Sequence, residues 1–155
     1  MQRKVFSKAA KMTIKQVSRL DVYLSTKAGT VAELTSLVFG ELTLSGYSLG
    51  EDDILNVILA ECRFYAGWAM FESQNHSVIE LDENLVIDQG EWAILEPVIK
   101  ANLDLKQAQR MESIRSLGAQ EFGLSVGEAK QMYKEERDAM PRLAFIEEPY
   151  SLDLD

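Results

Sequence analysis

The chain has 155 residues, is 46% hydrophobic, carries a formal charge of −9, and contains one cysteine, Cys62, and one histidine, His76. That size and apolar content suit one domain with a sizeable core and exclude disorder throughout, while a single cysteine excludes an internal disulfide and fits intracellular folding. No stretch offers about 18 consecutive apolar residues, and the start lacks the apolar core and cleavage site of a signal peptide, so no membrane contact is expected.

The charge is unevenly spread. Residues 1–27 hold seven of the 16 lysines and arginines and one of the 25 acids, Asp21, so this segment is +6 and the rest of the chain −15. Arg3, Lys4, Lys8, Lys11 and Lys15 lead the basic run. It reads either as an arm that meets nucleic acid or an acidic partner, or as a solvated amphipathic first helix. Met12 is a second candidate start. From Ile14, the positions Val17, Leu20 and Tyr23 recur at helical spacing, and Ala28-Gly29 closes that segment.

Thr30 and Glu33 have the spacing of a capping box, which predicts a helix from Val31 to about Phe39, with Gly40–Gly50 as a looser connection. Ser48-Leu49-Gly50-Glu51 repeats the spacing, and Asp52 and Asp53 complement the helix dipole. A helix is therefore expected over Glu51–Phe71, with Ile54, Leu55, Ile58, Leu59, Cys62, Tyr65, Ala66 and Ala69 on a wide apolar face. Trp68, Met70 and Phe71 read as ordinary core or as an interaction surface. After His76 the period falls to 2: Ile79 and Leu81, then Leu85 and Ile87, flank Asp82-Glu83-Asn84 and predict a small hairpin.

Asp88 to Met140 organises the rest. Asp88-Gln89-Gly90-Glu91 marks a helix start near Gln89, and Leu95, Val98, Leu105, Ala108 and Met111 form its apolar stripe. Pro97 predicts a kink or a fresh helix start. Gly118 and Gly123 fall in a connection, Ser125-Val126-Gly127-Glu128 caps a second helix, and Met140-Pro141 is expected to stop it. The fold class is thus mostly α: a helical bundle or hairpin with one small β-hairpin and an extended C-terminal arm. Three regions follow, a basic arm or helix over 1–27, a helical domain over 28–140 and the arm over 141–155. The arm either packs on its own domain or donates Phe145, Ile146, Pro149, Tyr150 and Leu152 to a neighbour, for instance by strand addition.

Catalytic constellations are thin. Glu72 and His76 with Glu61 could approach a metal, but one histidine cannot supply the repeated ligand sets of helical di-metal sites. No phosphate loop or nucleophile elbow is present. Cys62 on an apolar helix face reads as a small buried hydrophobe. No catalytic, metal or cofactor residue is assigned, and the chain is read as not an enzyme.

The order of features resembles the head–tail connector, or adaptor, proteins of tailed bacteriophages. The likeness is carried by the helix Glu51–Phe71, the ribbon, Glu91-Trp92-Ala93-Ile94-Leu95-Glu96-Pro97, the long helix through Ala108-Gln109-Arg110-Met111-Glu112, the second helix, and Pro141-Arg142-Leu143-Ala144-Phe145, covering residues 48–155. Residues 1–47 depart from the family's pattern. The resemblance implies a ring, typically a dodecamer, at the neck of the virion, made in the host cytoplasm and seated between portal protein and tail. It implies that the C-terminal arm grips the portal or an adjacent subunit, and that an acidic lumen lets DNA pass without sequence specificity. A soluble helical adaptor or regulator that uses Trp68, Met70 and Phe71 for one protein partner is the alternative.

Overall fold

The computed structural model describes residues 27–74, 80–115 and 123–145. Its elements are β1 (Lys27–Thr30), α1 (Val31–Leu44), α2 (Glu51–Ala66), a 3₁₀ turn (Glu72–Gln74), β2 (Val86–Asp88), α3 (Gln89–Arg115) and α4 (Val126–Ala144). The protein is mostly helical, with one two-stranded antiparallel sheet.

Cap chemistry sets most of the helix starts. Thr30 Oγ1 accepts from the Glu33 amide at 3.2 Å, and Glu33 Oε2 accepts from the Thr30 amide at 2.8 Å. Ser125 and Glu128 repeat this exchange at 3.3 and 3.1 Å. Each pair satisfies two amides that a helix start leaves unpaired. At α2 the cap is Gly50 rather than Ser48. Asp53 Oδ2 accepts from the Gly50 amide at 3.0 Å, while Ser48 turns both its amide and its hydroxyl to Gln107 Oε1 at 3.1 Å.

Several boundaries differ from expectation. α1 runs through Gly40 to Leu44, because Val38 is buried and Phe39 and Leu42 pack against the core on either side of the glycine. α2 ends at Ala66, where Gly67 and Trp68 donate to Phe64 and Tyr65 in the tighter i→i+3 pattern that closes helices. α3 is one helix of 27 residues, about 40 Å long, with Pro97 inside it and no fresh start there. Pro97 and Ala93 are both exposed, so the carbonyl released by the missing proline N–H faces the solvent side. α4 likewise passes through Pro141 to Ala144, and residues 141–144 are helix rather than extended arm. Burial of Met140 and packing of Ala144 against the core hold this last turn, which the Phe145 amide closes onto the Pro141 carbonyl at 3.0 Å.

The ribbon exists, but its strands are not neighbours in sequence. β2 pairs with β1, with Thr30 opposite Val86 and Gly29 opposite Ile87, and an irregularity separates Lys27 from Gly29. Gly29 has φ +148°, a backbone conformation that side-chain-bearing residues rarely adopt. Asp82-Glu83-Asn84 does form a turn, in which Asp82 Oδ1 accepts from the Asn84 amide at 2.8 Å. The first strand expected of a local hairpin begins at Ile79, outside the described residues.

One core joins all these elements. Val31, Leu34 and Val38 of α1, Ile54, Val57, Ile58, Cys62 and Tyr65 of α2, and Leu95, Val98, Ile99 and Leu103 of α3 recur at three- and four-residue spacing and are buried. Phe71, Leu85, Ile87 and Met140 close it. Each such side chain contributes about 1.5–3 kcal/mol of burial. Asp53 meets Arg110 and Glu61 meets Asn102, so α2 runs antiparallel to α3. Glu61 meets Tyr133 and Phe64 meets Arg137, so α4 runs alongside α2 in the same direction. One pole of the bundle therefore gathers the ribbon, the start of α3 and the ends of α2 and α4.

Candidate interaction site

Three polar clusters fix the geometry of this bundle. In the middle, Glu61 is 1% exposed, and its Oε1 accepts from Asn102 Nδ2 at 2.6 Å and from the Tyr133 hydroxyl at 2.8 Å. Arg137 Nη1 donates to the Tyr133 oxygen at 2.7 Å, and its guanidinium lies 4.2 Å above the Phe64 ring. Burial first, then the Glu61 hydrogen bond, push the Tyr133 hydroxyl up to about 12. Three helices are thereby tied through one carboxylate. The second oxygen, Oε2, is buried without a protein partner.

At the ribbon pole Glu91 does similar work with backbone partners. Its Oε1 accepts from the Glu72 amide and its Oε2 from the Asp88 amide, both at 2.7 Å. Burial raises its pKa, against the lowering effect of these two bonds. The 3₁₀ turn is so fastened to the junction of β2 and α3. At the opposite pole, Tyr47 donates to Asp104, and Arg110 bridges Asp53 Oδ2 at 2.7 Å and the Ser48 carbonyl. A groove of about 510 Å³ lies beside this cluster, lined in part by Tyr47, Asp104, Gln107, Met111 and Leu124.

Four exposed apolar side chains lie at the ribbon pole, while Leu44, Ile114 and Leu124 are exposed toward the opposite one. Trp68 is 48%, Met70 66% and Phe145 65% exposed, and Leu143 lies half-exposed one residue before the end of α4. Trp68 stacks edge-on to Phe64 at 6.3 Å. Phe71, grouped by sequence with Trp68 and Met70, turns the other way into the core and packs its ring 4.8 Å from Tyr65. Two of the three residues are thus exposed and one belongs to the core.

Of the predicted partner-binding residues, Phe145 is the described one, and it is exposed at the C-cap of α4. Ile146, Pro149, Tyr150 and Leu152 lie outside the described residues, as do Arg3, Lys4, Lys8, Lys11, Lys15, His76 and the helix expected from Ile14 to Tyr23. Cys62 is fully buried, and burial followed by the Glu91 and Glu61 charges pushes its thiol up to about 12. Glu61 commits Oε1 to Asn102 and Tyr133. Among the described residues no group of three His, Cys, Asp or Glu side chains is placed to hold a metal ion. No helix among them is long and apolar enough to cross a membrane.

Sequence reasoning missed one surface. Gly127, Lys130, Gln131, Tyr133, Lys134, Arg137 and Asp138 line a shallow groove of about 360 Å³ along α4. The signal was available: three cations at i, i+4 and i+7 within an acidic body fall on one helical face. No family model, curated protein or solved structure matches this chain.

Proposed function

We propose that this chain is a structural virion protein that forms a ring at the head–tail junction, between portal and tail, and serves as a conduit for DNA. The observation that supports this reading most is the shared pole. Lys27 pairs with Asp88 beside the start of α3, and Phe145 ends α4 at the same end of the bundle. Lys27 and Phe145 thus lie at the pole that also carries exposed Trp68, Met70 and Leu143. A ring subunit that holds a neighbouring ring on one side would use such an end, an apolar patch at one pole of a stiff body. The 27-residue α3, braced by α4, supplies the stiffness. The acidic body would keep passing DNA from adhering to the wall.

A second reading, a helical adaptor that binds one protein partner, is favoured by the exposed Trp68 and Met70 alone. Electron microscopy of particles from the source, with mass spectrometry of their necks, separates the two. Stoichiometric chain in a closed ring at the neck is the expected result. Intact particles that lack the chain would overturn the connector reading and leave the adaptor.

A further inference from the structure

We propose that α4 is a two-sided connector whose basic flank seats the acidic and apolar flank of α4 in a second copy of this chain. At about 100° per residue, Lys130, Lys134 and Arg137 fall on one side of the buried Ala129–Met140 line. Met132, Glu135, Glu136 and Leu143 fall on the other, with exposed Arg142 at its edge. The basic flank borders the groove of about 360 Å³. Arg137 is held by Tyr133 and Phe64, so it is a fixed charge rather than a mobile one. Lys130 and Lys134 are exposed, and the two ion pairs among the described residues, Lys100–Glu96 and Arg110–Asp53, use neither of them. On the opposite flank Glu135 accepts from Gln131 at 2.7 Å, Glu136 is exposed, and Met132 and Leu143 add exposed apolar surface.

The occupant follows from charge. A duplex of DNA would offer the lysines phosphate alone, with no apolar surface for the rest of the groove. A protein flank that carries carboxylates and apolar groups matches the lysines and the remaining surface together. The same helix presents such a flank on its far side. Because the two flanks do not overlap, the contact is heterologous: each copy uses one flank toward each neighbour, and the series closes into a ring if the rotation permits. The inference rests on the ring reading and specifies which surfaces build the ring.

The test exploits the two-sidedness with full-length protein in sedimentation velocity at low and high salt. Lys130→Glu with Lys134→Glu leaves both flanks acidic, and Glu135→Lys with Glu136→Lys leaves both basic. Each double variant should self-associate at least about tenfold more weakly than the parent, and an equimolar mixture of the two should recover large assemblies by alternation. The fourfold variant, with its flanks exchanged, should assemble alone, which separates interface loss from misfolding. Assembly of the parent should weaken as salt rises. Double variants that assemble like the parent, or a mixture that stays small, would overturn the proposal. A parent chain that stays monomeric would also overturn it, while the neck microscopy decides the ring reading separately. If the lysine variant instead loses binding to a double-stranded DNA oligonucleotide with assembly intact, the stripe is a nucleic-acid contact and the flank pairing is wrong.

Discussion

The Tyr133 hydroxyl on α4 donates to Glu61 Oε1 on α2 over 2.8 Å and across 72 residues of sequence. Two consequences meet at this bond. It sets the depth at which α4 lies on α2, and it leaves Arg137 able to cover Phe64 while donating to the same phenol oxygen.

Tyr133→Phe removes that hydroxyl and strands one donor of Arg137. The expected cost is about 1–3 kcal/mol, the range for a buried polar group left unsatisfied. Glu61→Ala should cost more, because it also deprives Asn102 of its acceptor. Urea midpoints of the two single variants and the double variant give a coupling energy. A coupling below about 0.5 kcal/mol would show that the residues act independently.

Glu91 predicts a pH dependence of defined sign. Its folded pKa is raised, above all by burial, so its contribution to stability is fully present below the ordinary carboxylate value of 4.5 and is lost as pH climbs through the raised value. Glu91→Gln keeps one amide acceptor and abolishes the titration. The stability of the parent relative to the variant, from urea melts at a series of pH values, should be highest in acid and fall toward neutrality. A relative stability that rises toward neutral pH would show that the two amide bonds outweigh burial.

Cys62 should be chemically silent in the folded chain. With its thiol buried and its pKa pushed up to about 12, an aromatic disulfide reagent at pH 8 should react only on opening of the fold. Reaction within seconds in buffer would place Cys62 on a readily opened part of α2, whereas urea should release the reaction at the unfolding midpoint.

Phe71, Met70 and Phe145 should divide cleanly by readout. Phe71→Ala empties a fully buried site and should cost about 3–5 kcal/mol. Met70→Ser and Phe145→Ser touch exposed groups and should change stability by no more than about 0.5 kcal/mol. Under the proposed connector function their effect falls on assembly, and weakened incorporation of the chain into particles is the expected outcome.

Local chemistry was readable and non-local chemistry was not. Thr30 with Glu33 and Ser125 with Glu128 act within one helical turn, so spacing alone identified both starts. The buried stripe of Leu95 and Val98 followed from period in the same way. Ser48 misled because its competing partner, Gln107, lies 59 residues away. Pro97 and Pro141 read as breaks because local rules count the lost amide bond. They do not count the solvent-facing side at Ala93 or the buried Met140 that keeps the last turn of α4 in place. The strand Val86–Asp88 was legible from Leu85 and Ile87, yet its partner was not, since alternation names a face and never a mate. The exposure of Phe145 was legible, but the opposed flanks of α4 went unread because charge was averaged over the body.

The pairing of Thr30 with Val86 spans 56 residues, whereas α3 and α4 are joined by only ten. Closing the longer loop costs about 1.5 kcal/mol more chain entropy, which orders the assembly of the molecule in time. The α3–α4 hairpin is therefore expected to form before the ribbon, which would complete last the pole proposed to grip a neighbour. A newly made chain would then hold back its adhesive end until the stiff body behind it exists. Pulse-labelled amide exchange should accordingly protect amides in the middle of α3 before the Val31 amide that donates to Leu85.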